Sequence, residues 1–428
     1  MSGKSKKILI LGNGFDLAHG LPTRYSDFLG FCERVEIIFT YPRDAKPNEY
    51  QTDYLDNWDI NTRIKEKLLI AYNNRESENN DSYNPEYIIP RNINGIQEIY
   101  ECLSDNIWYK YFKELHYGKR MRGENWIDFE SEISFIVRYI DSISNDLSFS
   151  YEEILKRLRQ KEQDHSNKLN IIYKELERAV NKTASKRDYS NLTLRDMREK
   201  LYFHLVNLTR ALELYLSNFV EELPVDLLSD DINAFDADLV INFNYTNTYE
   251  KCYKKQAQVF YIHGKCNASR NIDENDMVLG IDEYLSENDR DVNTNFTIFK
   301  KFAQRIRKRT GVENYNYLKV IEKNYQDNNK VTTGHINGNL TYTDGISYVY
   351  IFGHSLDITD KDILSDFIKS DATAVTIFCR DKGTERELIA NVIKLIGEKS
   401  LLQKVTQSPP KLIFSLQKKL IDNITSNR

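Results

Sequence analysis

The sequence predicts an α/β protein built on a parallel sheet and carrying a large helical insertion. Three observations lead to this prediction. A short apolar run near the start of the chain ends in a glycine turn and leads into an amphipathic segment. Long stretches with apolar residues at three-and-four spacing, which is typical of helices, come next. The β-branched and aromatic runs that predict further strands follow, at residues 237–245, 259–264, 347–356 and 373–380.

The first element is a strand that ends in a glycine turn. Residues 7–11 (KILIL) are mostly apolar, Gly12-Asn13-Gly14 forms the turn, and residues 23–39 have apolar positions near helical spacing. Glycine lets the backbone approach a phosphate, and free N–H groups at a helix start favour an anion. Alternatively, the glycines only relieve tight packing in a strand–loop–helix joint. The loop alone leaves both interpretations open.

Two common nucleotide-binding loops are excluded here. The dinucleotide fingerprint requires a third glycine, and that position is Leu17. The phosphate loop G-x-x-x-x-G-K-S/T does not occur. Neither an ordinary dehydrogenase nor an ordinary NTPase is therefore indicated. The segment is nevertheless rich in side chains able to hydrogen-bond, which a purely structural joint seldom needs: Asn13, Asp16, His19, Thr23 and Arg24.

The periodicity also predicts the domain organisation. Residues 1–95 and 230–400 are expected to form a discontinuous nucleotide-binding core, of which residues 40–95 are polar, Asn-rich and exposed. Residues 96–229 form the helical insertion, in which the strongly charged residues 150–185 predict an exposed helical arm. Residues 401–428 are expected to form a C-terminal tail or helix.

Composition limits the class of protein. The 428 residues are 40% hydrophobic and 29% charged with a formal net charge of -5, which is typical of a soluble globular protein. The net charge argues against a broad nucleic-acid footprint. The basic run at residues 300–309 (KKFAQRIRKR) predicts the solvated face of a surface helix.

Cysteine use and hydropathy indicate a cytoplasmic protein. The five cysteines are scattered without a C-x-x-C pair, which excludes the usual four-cysteine zinc ribbon and suggests a reducing compartment. The apolar run near the N-terminus is too short for a signal peptide. No stretch of about 18 apolar residues predicts a membrane span. No metal-binding constellation stands out.

Polar or glycine-rich turns follow four of the predicted strands. Near-continuous apolar strands suit a parallel sheet covered on both faces, and ligands of such sheets lie beyond the carboxyl ends of the strands. These turns therefore predict one site at that edge. They are Gly12-Asn13-Gly14, Asn242-Phe243-Asn244-Tyr245-Thr246, His263-Gly264-Lys265 and Gly353-His354-Ser355.

Several residues of these turns have a chemical and a structural interpretation. His263 is either a general base at neutral pH or the cap of a strand end. Asn242 and Asn244 share one face of an extended strand and either orient water and a ribose hydroxyl or form the turn. Asp357 and Asp360 follow the last of these turns, and at least one of them is expected to cap a helix.

Two acidic residues outside the turns are further candidates. Glu130 lies in the segment WIDFE of a predicted helix and either projects into the site or packs within the helical region. Asp282 follows the short apolar run VLGI and is a weaker candidate of the same kind.

Five ordered segments resemble the bacteriophage abortive-infection AbiH family. They are GNGFDLAHGLPTRYSDF, WIDFE, NFNYTNTYE, YIHGK and FGHSLDITD, and the resemblance extends from residue 8 to about residue 360. That family in turn resembles, more distantly, the sirtuin-like NAD-binding fold. The resemblance implies a Rossmann-like, sirtuin-like parallel sheet in which the glycine turn is followed by Gly20-Leu21-Pro22.

The resemblance to sirtuins also implies residue roles. Asn244 would hold the ribose and water, and His263 would be the base. Beyond the resemblance, Asp16 is expected to help stabilise the ribosyl cation. The nucleotide would contact Gly12, Asn13, Gly14, Phe15, Thr23, Asn242, Gly353, His354 and Ser355. The absence of a paired-cysteine zinc ribbon argues against peptide deacylation, and Asn13 replaces a small residue of the sirtuin loop.

The resemblance therefore implies an antiphage abortive-infection effector that hydrolyses NAD, as its substrate, at the nicotinamide–ribose bond without a metal. One alternative is a nuclease or nucleotide-processing toxin that uses Asp16, Glu130 and Asp282, with the basic run holding nucleic acid. Another is a nucleotide-sensing regulator without catalysis. The long helices suggest a homo-oligomer, and a toxic effector implies a phage-derived trigger or a defence partner protein.

Overall fold

The computed structural model describes residues 5–40, 60–74, 95–124, 126–144, 146–160, 166–181, 191–253, 255–286, 293–311, 313–332 and 345–422. The chain divides into two compact units. The sheet unit comprises residues 1–21, 224–265 and 308–428, and the helical unit comprises residues 22–223 and 266–307. The helical unit is thus wider than the predicted insertion at residues 96–229. Much of the polar stretch predicted at residues 40–95 lies outside the described residues.

The sheet unit contains a six-stranded parallel sheet, which confirms the predicted Rossmann-like α/β fold. Its strands follow the spatial order β4-β3-β1-β5-β6-β7, and β2 pairs with β8 in a separate antiparallel ribbon. The strands are β1 (Lys7–Leu11), β2 (Leu227–Ser229), β3 (Leu239–Asn242), β4 (Gln258–Tyr261), β5 (Ser347–Phe352), β6 (Thr373–Cys379), β7 (Leu412–Leu416) and β8 (Leu420–Asp422).

The order of the strands reverses beside β1. The chain proceeds outward from β1 to β3 and β4, then returns to the other side of β1 with β5 and continues to β6 and β7. Leu11 at the end of β1 is in register with Asn242 of β3 and Phe352 of β5. The carboxyl ends of the three central strands are therefore level, at the switch point where ligands of such sheets usually bind.

Burial of apolar side chains explains why the central segments of the sheet form strands. Ile8, Leu9, Ile10 and Leu11 are fully buried, as expected for a strand covered on both faces. The helices of this unit are Asn13–Ala18, Asp230–Asn233, Thr248–Tyr253, Glu313–Thr332, Lys361–Lys369, Lys382–Ile396 and Glu398–Thr406.

The region predicted as a C-terminal tail or helix contains the end of the helix Glu398–Thr406 and two strands that the sequence did not predict. Within residues 401–428, Leu412–Leu416 forms β7 and pairs in parallel with β6, and Leu412 is buried in the core. The run LIFSL is only five residues long, so its pattern alone does not distinguish a strand from a tail. Pairing with β6 stabilises it as a strand.

The helical unit confirms the predicted helical insertion. Stacked aromatic rings join its helices, since the Phe129 ring lies between Tyr25 at a centroid distance of 4.3 Å and Phe112 at 4.0 Å. The helices are Tyr25–Thr40, Thr62–Asn74, Ile96–Leu103, Ile107–Arg120, Phe129–Ile143, Tyr151–Gln160, Ser166–Asn181, Leu194–Tyr215 with a π-helical continuation over Leu216–Val220, and Lys301–Lys308. None of the helices in the described part of the chain has both the length and the apolar composition needed to cross a bilayer.

Residues 150–185 contain two helices, as predicted, but the prediction that they form an exposed arm was wrong. The two helices Tyr151–Gln160 and Ser166–Asn181 bury an apolar stripe that includes Ile154, Leu158 and Leu176. Charged residues occupy the remaining positions and dominate the composition. The high charge content therefore led to the wrong prediction, although each helix has an apolar stripe wide enough to pack it into the unit.

The loops after β1 and β5 pack backbone against backbone. The N–H of Gly14 donates to the carbonyl of Gly353 over 2.7 Å, and the N–H of Gly12 donates to Phe352 O over 3.1 Å. A Cβ at Gly12 would lie 2.5 Å from His354 Cα, and one at Gly14 would lie 2.7 Å from Gly353 O. These glycines thus do relieve tight packing, the structural alternative that the sequence left open.

This contact predicts that Gly353 tolerates no side chain. Gly353 has a φ of +69°, and a Cβ there would lie 2.1 Å from Phe15 N. Gly353→Ala should lower the free energy of unfolding by about 3 kcal/mol or more, because strain and a backbone clash combine. Gly20→Ala is the matched control, since Gly20 has a φ of +76° with nothing within 4 Å of the added Cβ. Gly20→Ala should lower the free energy of unfolding by only about 1–2 kcal/mol.

Urea denaturation followed by circular dichroism measures both effects. Equal losses in the two variants would show that the contact between the two loops does not constrain Gly353.

Candidate functional site

Most of the predicted site residues lie in the sheet unit, on the loops at the carboxyl ends of β1, β3, β4 and β5. Thr23, Glu130 and Asp282 belong to the helical unit. The residues of the sheet unit are Gly12, Asn13, Gly14, Phe15, Asp16, Asn242, Asn244, His263, Gly353, His354 and Ser355. The structure connects many of these through two clusters of polar contacts, one centred on a carboxylate and one on the turn after β3.

The first cluster consists of two histidines on either side of Asp360. His263 Nε2 lies 3.1 Å from Asp360 Oδ1, and His354 Nε2 lies 3.5 Å from Asp360 Oδ2. All three residues are buried. The loop after β4 and the loop after β5 are therefore joined through one carboxylate. This carboxylate gives His263 the kind of partner that orients a catalytic imidazole.

Asp360 was missed as a site residue. The sequence predicted that at least one of Asp357 and Asp360 caps a helix, and Asp357 does so by accepting the N–H of Thr359 over 3.0 Å. Asp360 begins the next helix, Lys361–Lys369, and no side-chain cap bond accompanies it. An aspartate at a helix start is usually a cap, so only the position of the two histidines in space identifies its second role.

The ring of His354 is held in one tautomer. Its Nδ1 accepts the backbone N–H of Leu356 over 2.9 Å, so the ring hydrogen of the neutral form resides on Nε2. A metal ion at Asp360 would need the Nε2 lone pair of His354, which this tautomer does not offer. Among the described residues, no group of three or more His, Cys, Asp or Glu side chains is arranged to hold a metal ion.

Phe243 fixes the orientation of both imidazoles. Its ring meets His354 edge to face at 4.5 Å and His263 at 5.5 Å, with interplanar angles of 83° and 72°. Phe243 belongs to the same buried cluster as the apolar residues of β1, β3 and β5. Both histidines therefore pack against the hydrophobic core of the sheet unit.

The second cluster is the turn after β3. Asn242 Oδ1 accepts the N–H of Asn244 over 3.0 Å, and Asn242 Nδ2 donates to Thr246 O over 3.1 Å. Asn244 Nδ2 donates to Gly12 O over 3.1 Å and so connects the turn with the glycine loop. Both asparagines therefore help to form the turn, which is the structural role that the sequence left open. The same bond fixes the plane of the Asn244 amide.

Asp16 belongs to this second cluster. Thr246 Oγ1 donates to Asp16 Oδ2 over 2.5 Å, and Thr248 Oγ1 donates in turn to Thr246 Oγ1 over 3.1 Å. All three residues are buried. A buried carboxylate is stabilised by such hydrogen bonds, so the two threonines hold Asp16 in place.

The backbone of the glycine loop is occupied by bonds within the protein. The N–H groups of Gly12, Gly14 and Phe15 donate to Phe352 O, Gly353 O and Gly12 O, respectively. These are three of the groups predicted to hold a phosphate. An anion could bind them only after these bonds break.

His19 lies in a separate network. Its Nδ1 is 2.7 Å from Phe15 O and its Nε2 is 2.8 Å from the Tyr253 hydroxyl, which accepts the N–H of Ser229 over 2.8 Å. Burial lowers the pKa of His19. The neutral ring thus joins the first helix to Tyr253, a structural role.

In the helical unit, Glu130 forms an ion pair. Glu130 Oε2 lies 2.7 Å from Lys301 Nζ, and Glu283 Oε1 lies 2.8 Å from Lys300 Nζ. Both lysines are buried, so the prediction that residues 300–309 form a solvated basic face was wrong for them. The carboxylates draw the lysines inward, whereas Phe302 is 66% exposed on the same helix.

A family model described as "Bacteriophage abortive infection AbiH" matches residues 8–380. No curated protein matches the chain, and no solved structure matches it either. The matched region includes every loop that contributes to the two clusters.

The Asp16 cluster predicts a difference between two substitutions at Thr246. Thr246→Val removes the hydroxyl donor and leaves the buried carboxylate without it, which should lower the free energy of unfolding by about 2 kcal/mol. Thr246→Ser keeps the hydroxyl and is the matched control. Denaturation in urea measures both, and a valine variant at least as stable as the serine variant would show that the hydrogen bond to Asp16 does not stabilise the fold.

Proposed function

Because the chain belongs to the bacteriophage abortive-infection AbiH family, whose role is in abortive infection, we propose that it acts as an enzyme in that role. Its substrate in this proposal is NAD, which it hydrolyses at the nicotinamide–ribose bond. The loss of NAD would halt metabolism in the infected cell and so stop phage replication.

The observation that carries the proposal is the pair of His263 and Asp360 at the carboxyl edge of a parallel sheet. Cleavage of the nicotinamide–ribose bond passes through an oxocarbenium-like state and requires an oriented water and an acceptor for its proton. A histidine supported by a carboxylate suits the acceptor at neutral pH. The 3.1 Å contact between His263 Nε2 and Asp360 Oδ1 provides that support.

The turn after β3 supplies the second part of the proposed site. The amide plane of Asn244 is fixed through Gly12, so its oxygen has a defined direction from which to orient the ribose and water. Asp16, held by Thr246, provides a fixed negative charge that would favour the ribosyl cation. Fixed dipoles and charges aimed at developing charge are the usual source of catalysis in such sites.

Nucleotide binding is proposed at the loops after β1 and β5, which meet at the switch point of the sheet. Ser355 is exposed there and offers a hydroxyl. The N–H groups from Gly12 to Phe15 would reach a phosphate only when their bonds to the β5 loop open. In the proposal, NAD binding therefore competes with the contact between Gly14 and Gly353.

The structure does not favour the nuclease alternative. This alternative invokes a set of acidic residues and the basic run at residues 300–309. Glu130 of the acidic set and Lys301 of the basic run instead form an ion pair with each other, and both side chains are largely buried. Lys300 is similarly paired with Glu283. These two lysines are therefore paired within the protein, whereas Arg307 and Arg309 of the basic run are exposed.

The first prediction of the proposal concerns NAD turnover by the purified protein. Release of nicotinamide should persist in EDTA and should fall by about 10²–10⁴-fold in His263→Ala and in Asn244→Ala. His204→Ala and Asn207→Ala are matched controls, because both residues lie in the helical unit outside the proposed site. They should retain activity.

Three outcomes would contradict the proposal. Equal activity in all four variants would remove His263 and Asn244 from the reaction. Turnover lost in EDTA together with nucleic-acid cleavage would establish the nuclease. Tight NAD binding without turnover, even with phage lysate added, would establish a sensor.

The second prediction concerns Asp360. Asp360→Asn keeps the size of the side chain but removes the negative charge that faces His263, so kcat should fall by about 10²-fold with the fold retained. Asp357→Asn is the matched control, because Asp357 only caps the turn Ile358–Asp360. Protection of cells against phage should follow the same ranking, and protection by Asp360→Asn equal to that of the unaltered chain would contradict the role of Asp360.

A further inference from the structure

We infer that His354 is a positioning residue that directs Asp360 toward His263, so that His263 accepts the proton at Nδ1. The inference rests on the proposed function in treating His263 as the base. Four groups form the chain of contacts: the N–H of Leu356, the ring of His354, the carboxylate of Asp360 and the ring of His263.

The chain of contacts begins at Leu356, whose backbone is held in an uncommon conformation. Leu356 has a φ of +56°, in the left-handed region that non-glycine residues avoid, and its side chain is fully buried. Such a conformation persists only where the surroundings fix it, and it recurs at functional sites. Here it accompanies the hydrogen bond from the Leu356 N–H to His354 Nδ1, 2.9 Å long.

That bond determines where the hydrogen of His354 lies. Because Nδ1 accepts, the neutral ring carries its hydrogen on Nε2, and Nε2 faces Asp360 Oδ2 at 3.5 Å. The edge-to-face contact with Phe243 at 4.5 Å restricts rotation of the ring. His354 therefore presents a fixed N–H dipole to one carboxylate oxygen.

The other carboxylate oxygen is then directed to His263. With Oδ2 attracted to His354, Oδ1 lies 3.1 Å from His263 Nε2. An ionised carboxylate only accepts hydrogen bonds, so the neutral His263 ring carries its hydrogen on Nε2 and its lone pair on Nδ1. Asp360 also stabilises the imidazolium that forms when Nδ1 is protonated.

The proton balance of the proposed reaction follows from this arrangement. The water oxygen forms a bond to C1′ of the nicotinamide-bearing ribose while the bond from C1′ to the nicotinamide nitrogen breaks, and its electron pair leaves with nicotinamide. One proton of the water passes to His263 Nδ1 and the other remains on the new hydroxyl. Asp360 stays ionised throughout, and the proton later leaves His263 for solvent.

Histidine ring spectra of the full chain test the inference without reference to turnover. Long-range ¹H–¹⁵N correlation distinguishes protonated from unprotonated ring nitrogens, and the seven histidines are assigned by replacing them one at a time. We expect the hydrogen on Nε2 in both His263 and His354 of the unaltered protein. A hydrogen on Nδ1 of either ring would overturn the inference.

A substitution separates positioning from mere packing. His354→Asn offers an oxygen in place of Nδ1, so it keeps an acceptor for the Leu356 N–H but removes the N–H that faces Asp360. We expect shifted His263 ring resonances and a kcat lower by about 10–100-fold with KM nearly unchanged. His204→Asn, at another buried histidine, is the control and should leave the His263 resonances in place.

The result distinguishes this inference from the proposed function. If NAD is not turned over, the ring spectra still show whether His354 and Asp360 fix the hydrogen of His263. If NAD is turned over but the His263 resonances are unchanged in His354→Asn, the inference is wrong while the proposed function stands.

Discussion

The structure of the candidate site depends on the contact between the backbones of the loops after β1 and β5. Gly14 and Gly353 approach so closely that neither admits a Cβ, and their hydrogen bond joins the two strands that adjoin the switch point of the sheet. His354 follows Gly353 directly, so its position is set by this contact. His354 Nε2 in turn lies 3.5 Å from one oxygen of Asp360, and the other oxygen lies 3.1 Å from His263 Nε2.

Many polar groups at this edge are buried and form hydrogen bonds with one another. A buried polar group without a partner costs free energy, so each loop is constrained by the hydrogen bonds of the next. Asn244 connects the β3 turn to Gly12, and Asp360 connects the loops after β4 and β5. These bonds hold Asn244 and His263 in place before the substrate arrives, which suits catalysis. The proposed phosphate contacts, by contrast, require the bonds from the glycine loop to Phe352 and Gly353 to open.

Sequence reasoning predicted the parts of this arrangement that local pattern determines. Apolar runs predicted four strands after residue 230, and the polar turns behind them identified Asn244, His263 and His354. The pattern could not identify Asp360, because an aspartate before a helix looks like a cap wherever it lies. The partners of Lys300 and Lys301 could not be predicted for the same reason. A basic run in the sequence indicates its charge but not which carboxylates it contacts in the fold. The glycine loop left phosphate binding and tight packing open, and only the position of Gly353 in space shows the packing.

The claim that water attacks the ribose with His263 as base is tested most directly by hydrolysis of NAD in ¹⁸O-labelled water. Mass spectrometry of the products should find one ¹⁸O atom in ADP-ribose and none in nicotinamide, in an amount that depends on His263. Label in a phosphate group, or the same labelled product from the His263→Ala variant, would contradict the account.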